Sequence, residues 1–151
     1  MKSSSLFDRI GAEQLRAVIT ELYRRIFDDV MIGFMFQGKD RQHLIDREWE
    51  LAAALLGAPG VVYRGRSMRV AHAQHSIFGG HFERRLQLLR ETMRDLGVDL
   101  EVQREWLAHT ESLRAQITSD RGSECKDTSV DRSTLALPTE SDRVIKLGRK
   151  R

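Results

Sequence analysis

A chain of 151 residues, 40% apolar and 31% charged, is ordinary for a soluble globular protein and long enough for one domain whose core encloses a flat cofactor. A formal net charge of only +3 permits nucleic-acid binding without arguing for it, so no specific nucleic-acid partner is expected. One cysteine, Cys125, excludes an internal disulfide and fits a reducing cytosol. The start MKSSSLFDRIG has no apolar run of signal-peptide length, and no stretch approaches the roughly 18 apolar residues that cross a bilayer. A cytoplasmic protein with no membrane span is the expectation.

The first strong pattern is Leu15, Val18, Ile19, Leu22, Tyr23 and Ile26, a wide apolar stripe on one helix face. Asp29 to Phe36 is apolar but too brief for a full helix. Arg41 to Leu56 reads as a helix with Leu44, Ile45, Trp49, Ala52 and Leu56 on or near one face. Gly57, Pro59 and Gly60 stop it, and residues 57–66 form a loop. A weaker helical stretch carries Met68 and His72 and is broken at Gly79-Gly80. His81 to Leu96 is a long helix with Phe82, Leu86, Leu89, Met93 and Leu96 inward. Glu101 to Ile117 is the last, using Val102, Trp106, His109, Leu113 and Ile117. No run alternates with period two, so the class is all-α. Residues 1–118 form the folded domain. From residue 119 the text turns to Ser, Thr, Asp and Arg without a helix face and ends on Arg149, Lys150 and Arg151. Residues 119–151 read as a disordered, net basic tail.

Of five histidines, His72, His75 and His81 fall in YRGRSMRVAHAQHSIFGGHF. A histidine near a flexible loop among apolar residues suits an axial haem ligand, one ring nitrogen on iron and the other donating to a backbone carbonyl. His72 and His75, three apart, also share a helix face that zinc uses, although no second pair of ligands or cysteine pattern accompanies them. Spacing alone does not choose between these.

Five blocks bear on the choice: LFDRIGAEQL, ELYRRIFDD, FMFQGKD, the alanine-rich LAAALLGAPG, and YRGRSMRVAH followed by HF nine residues on. Together, and at these intervals from Leu6 to about Ile117, they resemble the bacterial truncated haemoglobins, nearest to the first of that family's groups. Gly11-Ala12 stands where the family has Gly-Gly. The resemblance implies a shortened globin fold, two helices crossing over two others around haem b. It implies that His72 is the proximal ligand to the metal and that Tyr23 is the distal tyrosine whose hydroxyl bonds the bound gas. Phe36 wedges against the haem face, Leu44 and Glu48 occupy the distal positions facing the gas, and Met68 and Phe82 line the proximal side. Apart from the resemblance, Tyr23, Phe36, Met68 and Phe82 read as core packing, His81 as a helix-start residue and His109 as a buried or half-buried helix residue.

Glu48 departs from the family, which commonly has a glutamine there whose amide donates. An ionised carboxylate offers only acceptors. It becomes a donor if burial protonates it, pairs with a cation such as Arg47 or a haem-edge group, accepts from Tyr23, or turns to the surface.

The function implied is reversible binding of dioxygen, and of carbon monoxide or nitric oxide, at a five-coordinate ferrous haem, since His43, the one histidine near the distal side, is expected to turn away. Nitric oxide detoxification to nitrate extends it and needs a separate reductase. The alternatives are a haem-based sensor whose ligand state acts on the tail, and a haem-free globin-like interaction domain.

Overall fold

A computed structural model describes residues 4–119. The region expected to be a tail therefore lies outside the described residues, apart from Ser119. That residue is bonded back to the body, its amide donating to the Ile77 carbonyl at 2.8 Å and its hydroxyl to the His75 carbonyl at 3.2 Å.

Seven α-helices and one 3-10 turn are present, with no strand among the described residues. Helix α1 (Leu6–Ile10) is closed at its start by Ser5 and Asp8, each side chain accepting from the other's backbone amide at 3.1 and 3.0 Å. Helix α2 (Ala12–Asp28) buries all six residues of the expected stripe. Each aliphatic side chain so buried contributes roughly 1.5–3 kcal/mol. The backbone at Gly11, with φ of 77°, turns between α1 and α2 in a conformation that only glycine adopts freely.

Beyond α2, the buried Asp29 carboxylate accepts from the amides of Met31 and Ile32 at 2.9 and 3.1 Å and takes the Arg84 guanidinium at 2.7 Å. This bends the chain into the 3-10 turn Gly33–Phe36. Gly33 passes so close to α2 that a Cβ there would sit 2.7 Å from the Phe27 carbonyl oxygen.

Helix α3 (Arg41–Leu55) is capped by Asp40, which accepts from the His43 amide at 3.1 Å. Its buried Glu50 was not expected inside. The carboxylate bonds Arg47 at 2.8 Å, the Arg64 amide at 3.0 Å and the Arg64 guanidinium at 2.7 and 2.9 Å. A buried charge persists only when so paired, and here the pairing clips the 57–66 loop onto α3.

Helix α4 (Met68–His72), capped by the Ser67 hydroxyl, gives way to turns at 73–78 before α5 (Gly79–Asp95). The expected break at Gly79-Gly80 is thus corrected: both glycines open α5, where first-turn amides need no helical acceptor. Leu96, expected inward, caps α5 and is 39% exposed. The last expected helix divides at Leu113 into α6 (Leu100–Ser112) and α7 (Arg114–Ile117). Thr110, not His109, is its third fully inward residue after Val102 and Trp106.

Helix α2 packs on α3 and crosses α5, which packs on α6, while α4 rests against α7. The pairs α2/α3 and α5/α6 make a two-over-two helical sandwich, and the cavity lies among them.

Candidate haem cavity

The sandwich encloses a cavity of about 390 Å³, within the roughly 300–1,000 Å³ usual for small-molecule and cofactor sites. Tyr23, Phe36, Leu44, Glu48, Met68, His72 and Phe82, singled out in the sequence, all line it. They come from α2, the 3-10 turn, α3, α4 and α5.

The ring of His72 is half-buried, and its Nδ1 lies 2.7 Å from the Met68 carbonyl oxygen. A carbonyl only accepts, so Nδ1 carries the proton and Nε2 keeps a free lone pair. Burial holds His72 below the usual histidine range and outweighs the Met68 carbonyl, which acts the other way. An imidazole that is neutral, fixed in tautomer and free at Nε2 is what a metal requires. Among the described residues no group of three His, Cys, Asp or Glu gathers to hold an ion, so His75 does not complete a zinc cluster with His72 there.

Tyr23 is buried, its ring edge-on to Phe36 with centroids 6.5 Å apart, and Phe27 backs Phe36 at 5.6 Å. Burial, followed by the negative charge of Glu48, pushes the Tyr23 hydroxyl up to about 12. It therefore keeps its proton throughout the physiological range.

Glu48 settles the choice among its alternatives. It neither turns to the surface nor takes Arg47, which binds Glu50 instead. Its Oε2 accepts from Arg85 Nη2 at 3.1 Å, and the charge of Arg85 also acts on the nearby Tyr23 hydroxyl, pulling its pKa down against the effect of burial. Burial works against the charge on Arg85, but Glu48 and Tyr23 outweigh it and raise its pKa.

Arg85 is the residue the sequence reading missed. Its signal was present: Phe82, Arg85, Leu86 and Leu89 stand at i, i+3, i+4 and i+7, so a charge sits within the apolar stripe of α5. Also missed was the convergence of all five histidines on the cavity, His43 from an exposed position and His109 half-buried. His81 is a helix-start residue as expected, its Nδ1 accepting from the Phe78 amide at 3.1 Å.

The residues fit a haem. Apolar walls suit the macrocycle, His72 suits the metal, and the cations Lys39, Arg47 and Arg66 among the lining residues suit its carboxylates. The buried Nε of Arg47 is a donor with no partner in the protein, which a carboxylate at that wall would satisfy.

An all-α sandwich of this order around a histidine-bearing apolar cavity defines a globin of the shortened, two-over-two kind. A family model described as bacterial-like globin matches residues 5–119. A group 1 truncated haemoglobin of Mycolicibacterium paratuberculosis is 30% identical over 117 residues, 77% of this chain and 85% of that protein. One from Tetrahymena pyriformis is 26% identical over 98 residues, 64% of this chain and 80% of that protein. The crystal structure of the truncated haemoglobin of Tetrahymena pyriformis in its Fe(III) form superposes with a TM-score of 0.69 at 24% identity, over 77% of this chain and 99% of that one. The chain belongs to the bacterial-like globins, as a truncated haemoglobin of group 1. The cofactor of that family is haem, usually haem b, and its members bind diatomic gases. No helix among the described residues is long and apolar enough to cross a membrane.

Proposed function

We propose that the chain binds dioxygen reversibly, together with carbon monoxide and nitric oxide, with His72 as the ligand to iron and Tyr23 beside the gas. The haem supplies an iron centre with a coordination position open to a diatomic ligand. The observation that carries the reading is the state of His72: neutral, anchored through Nδ1 to Met68, and free at Nε2 in an apolar cavity that also holds a protonated tyrosine. Phe36, Leu44, Met68 and Phe82 line this cavity and would pack against the macrocycle and keep water out. The Tyr23 hydroxyl keeps its proton beside the Arg85 guanidinium, and that proton is available to give to a guest. Hydrogen bonds to a guest that takes on negative charge stabilise it by roughly 1.5–3 kcal/mol. Such retention slows release and makes simple transport an awkward role.

The cations around the cavity, Arg85 and Arg47 among them, favour a second reading, conversion of nitric oxide to nitrate. Nitric oxide, dioxygen and one electron give the nitrate anion, the electron coming from a separate reductase.

The test is an absorption spectrum of the haem-supplemented protein, reduced and then given carbon monoxide, beside a His72→Ala variant. A five-coordinate ferrous spectrum that moves sharply with carbon monoxide, and is lost or grossly altered in the variant, is expected. Absence of haem uptake by the wild type overturns the reading and leaves a helical interaction domain.

A further inference from the structure

The distal wall of this cavity holds an ion pair where a neutral amide would serve as donor. Glu48 stands on α3 with Leu44 and Ala52, Arg85 on α5 between Phe82 and Leu86, and the pair closes across the cavity at 3.1 Å. Glu48 is 13% and Arg85 23% exposed at the side chain, so both have lost most of their water. Burying such a pair is costly and is rarely the most stable solution, because an apolar pair of similar size packs there without desolvation. Stability therefore does not account for it.

The chemistry of the three groups divides the roles. Ionised, Glu48 has no proton to give and is a poor neighbour for a negatively polarised guest. Arg85 has five donors, and its contact with one carboxylate oxygen of Glu48 engages only part of them. Its planar fork is held by Glu48, so less freedom is lost when it donates again. Its positive charge, acting on the nearby Tyr23 hydroxyl, also favours the bond that Tyr23 gives onward.

We propose that Arg85 is a specificity-determining residue of the cavity. Held in place by Glu48, it donates to the guest and favours guests that are anionic or negatively polarised, such as azide, nitrite or dioxygen, over carbon monoxide. Glu48 is then a positioning residue, and the pair replaces the amide donor that a glutamine at position 48 would supply. The inference rests on the haem reading above.

The test uses the full-length haem-loaded protein with azide on the ferric form and carbon monoxide on the ferrous form. Arg85→Gln, which removes the charge but can still bond Glu48, is expected to weaken azide binding about ten- to a hundredfold. Carbon monoxide affinity should change by less than about threefold, and the infrared C–O stretch, which falls near positive donors, should move up. Arg85→Lys should recover part of the azide affinity. If Arg85→Gln does not fold, Tyr23→Phe decides, since its C–O stretch must stay low through Arg85 alone. Azide affinity within twofold of wild type in Arg85→Gln, or a stretch that rises to the value of an apolar pocket in Tyr23→Phe, overturns the proposal. In either case carbon monoxide still binds the wild type, which separates this failure from failure of the haem reading.

Discussion

His72 donates from Nδ1 to the carbonyl oxygen of Met68, one helical turn earlier, at 2.7 Å. That bond fixes the ring's tautomer on the helix that carries it, and α4 exists as five residues following the Ser67 cap. In the proposed function this helix offers the metal its ligand at His72. In His72→Gly the normal ferrous spectrum should be lost, and imidazole added to the solution should restore it by filling the vacated space. Titrating imidazole against the absorption spectrum checks this, and failure of imidazole to restore any of it would count against His72.

Tyr23→Phe removes a buried hydroxyl while leaving the ring packed on Phe36. Dioxygen dissociation from the ferrous protein should speed up by about tenfold or more, the worth of one hydrogen bond to a charged acceptor. Carbon monoxide, which takes on little charge, should leave at nearly the wild-type rate. Stopped-flow displacement of each gas measures both.

Asp29 joins the end of α2 to the 3-10 turn and to α5 through Arg84. Asp29→Ala leaves Arg84 and two backbone amides without their acceptor, which should cost roughly 2–4 kcal/mol. Because the turn carries Phe36, haem retention should fall with stability. Urea unfolding and the rate of haem transfer to a competing apoglobin report the two.

Gly33→Ala places a methyl group 2.7 Å from the Phe27 carbonyl oxygen, a backbone atom that cannot swing aside. The turn must move off α2, with an expected loss of about 1–3 kcal/mol. Gly80→Ala, with open space around its Cβ, should be close to neutral. Equal denaturation midpoints for the two variants would contradict the close approach.

Acid should weaken the fold through its paired carboxylates. Hydrogen bonds from Arg24 and then Arg25 hold Glu21 down to about 2, and the bond from Arg84 leads in holding Asp29 below the usual carboxylate range. A carboxylate lowered in the folded state adds stability that is complete above its unfolded value near 4. That stability is lost as pH falls through the folded value. The carboxylate contribution should therefore be flat from about pH 7 to 5 and fall steeply between about pH 4 and 2, while His72, lowered by burial, adds a smaller loss as pH falls below about 6.5. Glu21→Gln should make the fall shallower, as denaturant titrations at several pH values would show.

Much of this protein was legible in its sequence because helical periodicity is local. The stripe from Leu15 to Ile26 is set by residues three and four apart, and α2 buries all of it. The end of α3 at Gly57 was equally plain, and the order of the five blocks placed Tyr23, Phe36, Leu44, Glu48, Met68, His72 and Phe82, which the fold brings around one cavity. Boundaries were less legible. Glycines at 79 and 80 break a helix interior but are tolerated in a first turn, and position within the helix is not written in the residue type.

Only the tertiary structure decided which faces meet. Glu48 and Arg85 are 37 residues apart, and each alone is a charge inside an apolar stripe, with no local rule to say what it finds. Arg47, one residue from Glu48, was the nearer cation, yet α3 turns it toward Glu50 and the 57–66 loop. A helix rotates successive side chains by about 100°, so neighbours in sequence point to different partners. The packing of α2 on α3 and across α5 gives Glu48 an arginine instead of water. In that way an acidic substitution becomes one half of a paired, donor-bearing wall.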